Sequence, residues 1–249
     1  MKKKLPLILA VVGLVAIAFS AVGSTRAALA YYSDDYIAQV DVKSIGVTLL
    51  ENGKEVSWRD YLHKDDAWYE ATGELLTTML EDAGDEELIF DKEYKEELSV
   101  KNSGTIDEYV RVEVKKSWLD EDGKTKRVDC DPSKIKIHFT NDGWVEDKSA
   151  ATSERNVFYY TSILKKGATS SLFADKISID GDIASLVSKE EYVDDEGYKN
   201  IVTTYAYDGA TFVIEACVDA VQTHNAKEAI KSAWGIDVNI GSNGSLSLN

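Results

Sequence analysis

The chain has 249 residues, 44 acidic and 28 basic side chains, a formal net charge of −16, two cysteines and two prolines. That balance excludes a surface built to meet nucleic-acid phosphate or anionic lipid, since both need clustered Lys and Arg. Two cysteines exclude a disulfide-stapled scaffold, and the length suits one large β domain or two small ones with a real core.

Lys2, Lys3 and Lys4 precede an uncharged, largely apolar run from Leu5 to Gly23, and a small-residue segment ends at Ala28-Leu29-Ala30. These are the basic, apolar and A-x-A parts of a secretory signal peptide. Residues 1–30 are therefore expected to be removed by a signal peptidase. Ala28 and Ala30 supply the small side chains of the cleavage site and Tyr31 becomes the first mature residue. The apolar run is about 19 residues, near the lower limit for a membrane span, so retention as an N-terminal anchor is the alternative. Cleavage removes four basic and no acidic residues, leaving 24 − 44 = −20 over 219 residues. Such an exported chain is self-repelling, and divalent cations would relieve the repulsion.

Period-two alternation dominates the mature chain. The first mature strand, Ile37–Leu50, changes parity: Ala38, Val40 and Val42 take one phase, and Ile45, Val47 and Leu49 the other. A bulge near Ser44-Ile45 would reconcile them. Asp66–Leu80 predicts a helix with Trp68, Ala71, Leu75, Leu76, Met79 and Leu80 on one stripe, although Gly73 opposes it. Val110, Val112 and Val114 alternate with Arg111, Glu113 and Lys115. Ile135, Ile137 and Phe139 alternate with Lys134, Lys136 and His138. Phe212, Ile214, Ala216, Val218 and Ala220 share one face of a last long strand, opposite Glu215, Cys217 and Asp219. Asn52-Gly53, Asp122-Gly123, Asp142-Gly143 and Asp208-Gly209 carry hairpin chemistry, clearest at Asp208-Gly209 between two strand-like runs. Asn225–Trp234 predicts a second helix, with Asn225 as cap, Glu228 completing a capping box and Gly235 as the stop. Gly241–Asn249 reads as a flexible tail with no apolar stop-transfer run and no LPxTG-like sorting signal. The expected fold is mainly β: one antiparallel, jelly-roll-like β-sandwich domain over residues 31–240 with one or two peripheral helices.

Few residues suggest chemistry. Cys130 and Cys217 could form one bridge in an oxidising compartment, with two free thiols as the alternative; Cys217 is expected to face solvent. His63, His138 and His224 are isolated, with no H-E-x-x-H and no i, i+4 spacing, so no metal site is expected. Asp120–Gly123 and Asp194–Gly197 lack the ligand alternation of a calcium loop and read as turns. There is no G-x-S-x-G elbow, and no carboxylate pair stands out in so acidic a chain. No catalytic or cofactor-binding residue is expected. Five tryptophans and thirteen tyrosines could line a sugar-binding face but more simply serve core and edges.

Three segments carry a family resemblance. The junction Gly23-Ser24-Thr25-Arg26-Ala27-Ala28-Leu29-Ala30-Tyr31-Tyr32-Ser33-Asp34 is similar to a small-residue cleavage site followed by an aromatic-Ser-Asp start. The stretch from Val100 to Val112, through Asn102-Ser103-Gly104 and Tyr109-Val110-Arg111, resembles V-x-N-[TS]-G-x-x-x-x-Y-V-R-V. Ala220-Val221-Gln222-Thr223-His224-Asn225 resembles A-[IV]-Q-x-x-N. These are features of the TasA/camelysin family of exported Gram-positive surface and biofilm-matrix proteins, released by SipW-type signal peptidases. The resemblance implies a jelly-roll-like sandwich with helical decorations, export through a dedicated signal peptidase and assembly into fibres or matrix outside the cell, with copies of itself or a related matrix subunit. In such fibres an N-terminal segment adds a strand to its neighbour. The candidate here is Tyr31–Val42, with Tyr31, Tyr32, Ile37, Val40 and Val42 as its apolar positions; an ordinary first strand within its own domain is the alternative. The resemblance also brings secreted metalloproteolysis into view, which the isolated histidines do not support. A soluble extracellular binding module, for example for carbohydrate, is the second reading.

Overall fold

Alternation of apolar and polar side chains builds two antiparallel sheets, in a computed structural model that describes residues 44–62, 67–71 and 73–249. In chain order the first strands are β1 (Gly46–Glu51), β2 (Lys54–Leu62), β3 (Ala67–Ala71), β4 (Tyr94–Asn102) and β5 (Glu108–Leu119). Then come β6 (Ile135–Phe139), β7 (Trp144–Glu146), β8 (Arg155–Tyr160) and β9 (Ala174–Ile179). A ribbon of β10 (Val187–Val193) and β11 (Lys199–Tyr205) precedes β12 (Thr211–Gln222), and β13 (Val238–Ile240) and β14 (Leu246–Leu248) close the chain. Two helices are described, α1 (Met79–Ala83) and α2 (Ala226–Trp234).

The larger sheet has the order β3-β2-β1-β4-β9-β6 and the smaller β12-β5-β8-β7. The pairs β7–β8, β6–β9 and β5–β12 nest within one another and alternate between the sheets, which is the winding of a jelly roll. Val47, Leu49, Leu98, Val100, Val112, Phe158 and Ile177 fill the space between the sheets. The smaller sheet is covered on its outer face as well. There Tyr109, Val157 and Tyr159 pack against Ile230 and Trp234 of α2 and Leu246 of β14. At roughly 25 cal/mol per Å² of apolar surface removed from water, this two-sided burial makes β5 the structural centre.

Several expectations are corrected. The helix predicted over Asp66–Leu80 is absent: Ala67–Ala71 is a strand hydrogen-bonded to β2, and only Met79–Ala83 is helical. Gly73 lies so close to β2 that a Cβ would sit 2.1 Å from the Val56 carbonyl oxygen, and Leu76 takes φ 65°, which breaks the helical path. The tail is not flexible. Residues 238–248 form the β13–β14 hairpin, with Leu246 buried, its N–H on the Thr161 carbonyl at 2.8 Å and the Gly244 carbonyl accepting from the Tyr109 hydroxyl at 2.9 Å. Of the four turn dipeptides assigned to hairpins, only Asn52-Gly53 joins paired neighbours. Asp142-Gly143 and Asp208-Gly209 carry the chain between sheets, and Asp122-Gly123 closes only an isolated bridge between Leu119 and Lys126. The β1–β2 pair has a register shift between Leu49 and Leu50; the bulge expected near Ser44-Ile45 depends on residues 37–43, which lie outside the described residues. The second helix starts at Ala226 as expected, yet the capping box does not form. Asn225 sits in the left-handed region, which Asn tolerates, to turn the chain off β12, and its carbonyl accepts from the Ala229 N–H at 2.9 Å. Gly235 ends the helix with φ 75°.

Candidate functional site

β12 pairs with β5 along all twelve of its residues and, among the described residues, has no strand on its other side. Its outer edge therefore presents alternate N–H and C=O groups with no strand partner among the described residues. The two sheets differ in width, and β12 packs across from β1. The inner face of β2 thus overhangs the smaller sheet and leaves a groove of about 790 Å³. Val47, Leu49, Val56, Leu75, Leu76, Met79, Ile214 and Val218 give it an apolar lining. One ion pair fastens the two sheets at this side: Arg59 Nη1 lies 3.2 Å from Asp219 Oδ1. Asp219 also accepts from Arg111 Nε at 3.2 Å, and the Arg111 guanidinium lies 5.6 Å from the Trp234 ring centroid. Burial works against the Arg111 charge, but Asp219 outweighs it and holds the guanidinium above its ordinary value.

The point where the chain enters β1 is gripped by the Asn102–Glu108 loop. The Ser103 and Gly104 N–H groups donate to the Gly46 carbonyl at 2.9 and 3.1 Å, and the Thr105 N–H donates to the Ser44 carbonyl at 2.9 Å. In return the Gly46 N–H donates to Glu108 Oε1 at 2.8 Å and the Ser44 N–H to Thr105 Oγ1 at 2.7 Å. Asn102 is fully buried; its amide donates to the Ile106 and Leu164 carbonyls and its Oδ1 accepts from the Gly104 N–H. A Cβ at Gly104 would fall 2.6 Å from the Gly46 nitrogen. The Asn-x-Gly motif is thus more than a turn between strands. It fixes Ser44 and Gly46, the start of the described chain, against the body.

A buried carboxyl pair lies behind the groove-lining segment at Leu76. Glu51 of β1 and Glu96 of β4 are both buried, and neither Glu96 oxygen has a hydrogen-bond partner. Desolvation, reinforced by the neighbouring Glu51, pushes the Glu96 carboxyl up to about 9. Glu51 Oε1 accepts the Leu76 N–H at 2.6 Å, which secures the groove-lining segment in its positive-φ conformation. This pair was overlooked in the sequence, although Glu96 shares parity with the inward residues Tyr94, Leu98 and Val100, and Glu108 with Val110, Val112 and Val114.

The other candidate residues do not converge. Cys130 and Cys217 are free, which corrects the bridge. Cys130 is buried beside the Ala206 carbonyl, whereas Cys217 is exposed on the opposite face of β12 from Ile214 and Val218. His138 is exposed and meets Asp175 at 2.5 Å, His224 is exposed before α2, and His63 lies outside the described residues. Among the described residues no group of three or more His, Cys, Asp or Glu side chains could hold a metal ion. Asp122 accepts from the Lys124 and Thr125 N–H groups, and Asp194 from those of Glu196 and Tyr198, so both acidic loops spend their carboxylates on their own turns. Of the exposed aromatics, Trp58 is on β2, Tyr198 adjoins β11, and Tyr192 and Tyr205 lie on opposite faces of the β10–β11 ribbon. No described helix is long and apolar enough to cross a membrane. The cleavage-site residues Ala28, Ala30 and Tyr31, and the candidate assembly strand with Tyr32, Ile37, Val40 and Val42, lie outside the described residues. Comparison of the chain with protein-family models, curated proteins and solved structures returns no match.

Proposed function

We propose that this chain is an exported, non-catalytic structural protein of the cell surface or extracellular matrix that assembles by strand addition. The observation that carries the reading is the twelve-residue edge of β12, unpaired among the described residues, beside a groove with an apolar lining. An added strand would satisfy the edge through main-chain hydrogen bonds and send alternate side chains into the groove. The donor is Tyr31–Val42 of another copy, in which Ala38, Val40 and Val42 alternate at strand spacing. The clamp on Ser44–Gly46 favours this division of labour, because it anchors the body immediately after the donor segment. Export rests on the basic, apolar and A-x-A order of residues 1–30, and kinship with TasA and camelysin on the motif likeness alone.

Light scattering and negative-stain microscopy on Tyr31–Asn249, beside a version lacking Tyr31–Val42, test the proposal. Fibres or oligomers that vanish on truncation are the expected result. A monomer at all concentrations, in acid and with calcium, would overturn it.

A further inference from the structure

We propose that the β10–β11 ribbon is a pairing surface for a second copy of this chain, joined edge to edge through β11 about a twofold axis. This contact is separate from strand addition at β12 and does not depend on it. The ribbon is a two-stranded sheet with no other strand beside it among the described residues, and nearly every one of its residues is exposed. Two strands alone are marginal in water. Even so, this ribbon keeps Ile201 at 57% and Tyr205 at 53% exposure. Val187, Val193, Ile201 and Tyr205 share one face.

The base holds the ribbon in a fixed direction. The Ala206 carbonyl accepts from Arg127 Nη2 at 2.8 Å, and the Ala206 N–H donates to the Leu186 carbonyl at 2.8 Å. The Tyr207 hydroxyl accepts the Asp131 N–H at 2.7 Å, and its ring meets Trp118 edge-on at 5.0 Å. An anchored ribbon with bare edges is a template for another strand.

The choice of a second copy, and of β11 over β10, comes from register and from the β-branched run of β11. Full antiparallel overlap of β11 with itself places Val202 on the twofold axis. Ile201 then faces Thr203 of the second copy, Asn200 faces Thr204, and Lys199 faces Tyr205, so no like charges meet. Four successive β-branched residues, Ile201 to Thr204, suit a pleated pair. Full overlap of β10 with itself sets Glu190 against its own copy but also Lys189 against Glu191, so charge does not separate the two edges; β10 has no comparable β-branched run. Seven residues span about 24 Å, so the contact is smaller than the roughly 800 Å² per partner of a standard interface. Pairing between free chains is therefore weak, and it strengthens when chains are already held together.

Disulfide trapping reads the register directly. The protein is expressed from its full sequence, purified in its processed form and given Cys217→Ser to remove the exposed thiol. In a glutathione redox buffer, Val202→Cys is expected to form a disulfide dimer about tenfold faster than Glu190→Cys, because pairing raises the local thiol concentration. Asn200→Cys and Thr204→Cys are expected to link to each other in a mixture faster than either links to itself. Val202→Lys, which puts two ammonium groups on the axis, is expected to shift the sedimenting species to monomer without unfolding the body. Val202→Cys linking no faster than Glu190→Cys, or Asn200→Cys linking best to itself, would overturn the proposal. The same trapping repeated on a chain lacking Tyr31–Val42 should be unchanged, so a failure here and a failure of strand addition are read apart.

Discussion

Replacing Glu96 by Gln should make the protein more stable at pH 8 and leave it nearly unchanged near pH 4.5. Burial against Glu51 raises the Glu96 carboxyl from 4.5 to about 9, so the folded chain keeps a proton that the unfolded chain has lost throughout that window. With one more proton bound in the folded state, stability falls as the pH rises from 4.5 and levels off above 9. At pH 8 the difference is 3.5 pH units, a ceiling of about 5 kcal/mol at 1.36 kcal/mol per unit. Sharing of the proton with Glu51 and relaxation of the pair lower the measured value to about 2–5 kcal/mol. Gln keeps the shape and removes the titration. Urea unfolding of both proteins from pH 5 to 9, followed by tryptophan fluorescence, measures the gap. A gap that opens steadily with pH supports the reasoning; parallel curves, or a variant less stable at pH 8, would refute it.

Three further outcomes are expected from the same structure. Gly104→Ala forces a Cβ against the Gly46 nitrogen and should cost about 1–3 kcal/mol; hydrogen exchange should quicken at the Ser103 and Thr105 amides, and unchanged exchange there would contradict the clamp. Ile230→Ala empties a fully buried site between α2 and the outer face of the smaller sheet and should cost about 2–5 kcal/mol by urea unfolding, with Trp234 more exposed to quencher. A maleimide reagent should label Cys217 in the folded protein and Cys130 only on unfolding; desolvation pushes both thiols up, so access decides, and Cys130 is buried while Cys217 is exposed. A Cys130–Cys217 disulfide found by mass spectrometry would contradict the placement of the two strands.

The sheets were legible because single strands obey a local rule. Val110, Val112 and Val114 alternate with charges, and all three are inward in the structure. Pairing partners were not legible, because hairpin chemistry at Asp208-Gly209 reports a tight turn and not which strands it joins; tertiary packing sends β11 to β10 and β12 to β5. The segment from Ala67 to Leu80 carries an apolar stripe of helical period, yet the free edge of β2 claims its first five residues as a strand. The tail looked polar by composition, but Leu246 and Leu248 with Gly244 between turns suffice for a hairpin over Tyr109. The open edge of β12 is a property of strand order, so no local pattern could announce it. Glu96 could have been found by parity, as an acid at an inward position.

Hydrogen exchange at the backbone amides of β12, measured in the isolated Tyr31–Asn249 chain and in its assembled form, tests strand addition most directly. The account predicts that alternate amides along Thr211–Gln222, those on the outer edge, exchange freely in the monomer and become protected on assembly. Assemblies in which these amides stay unprotected would contradict it.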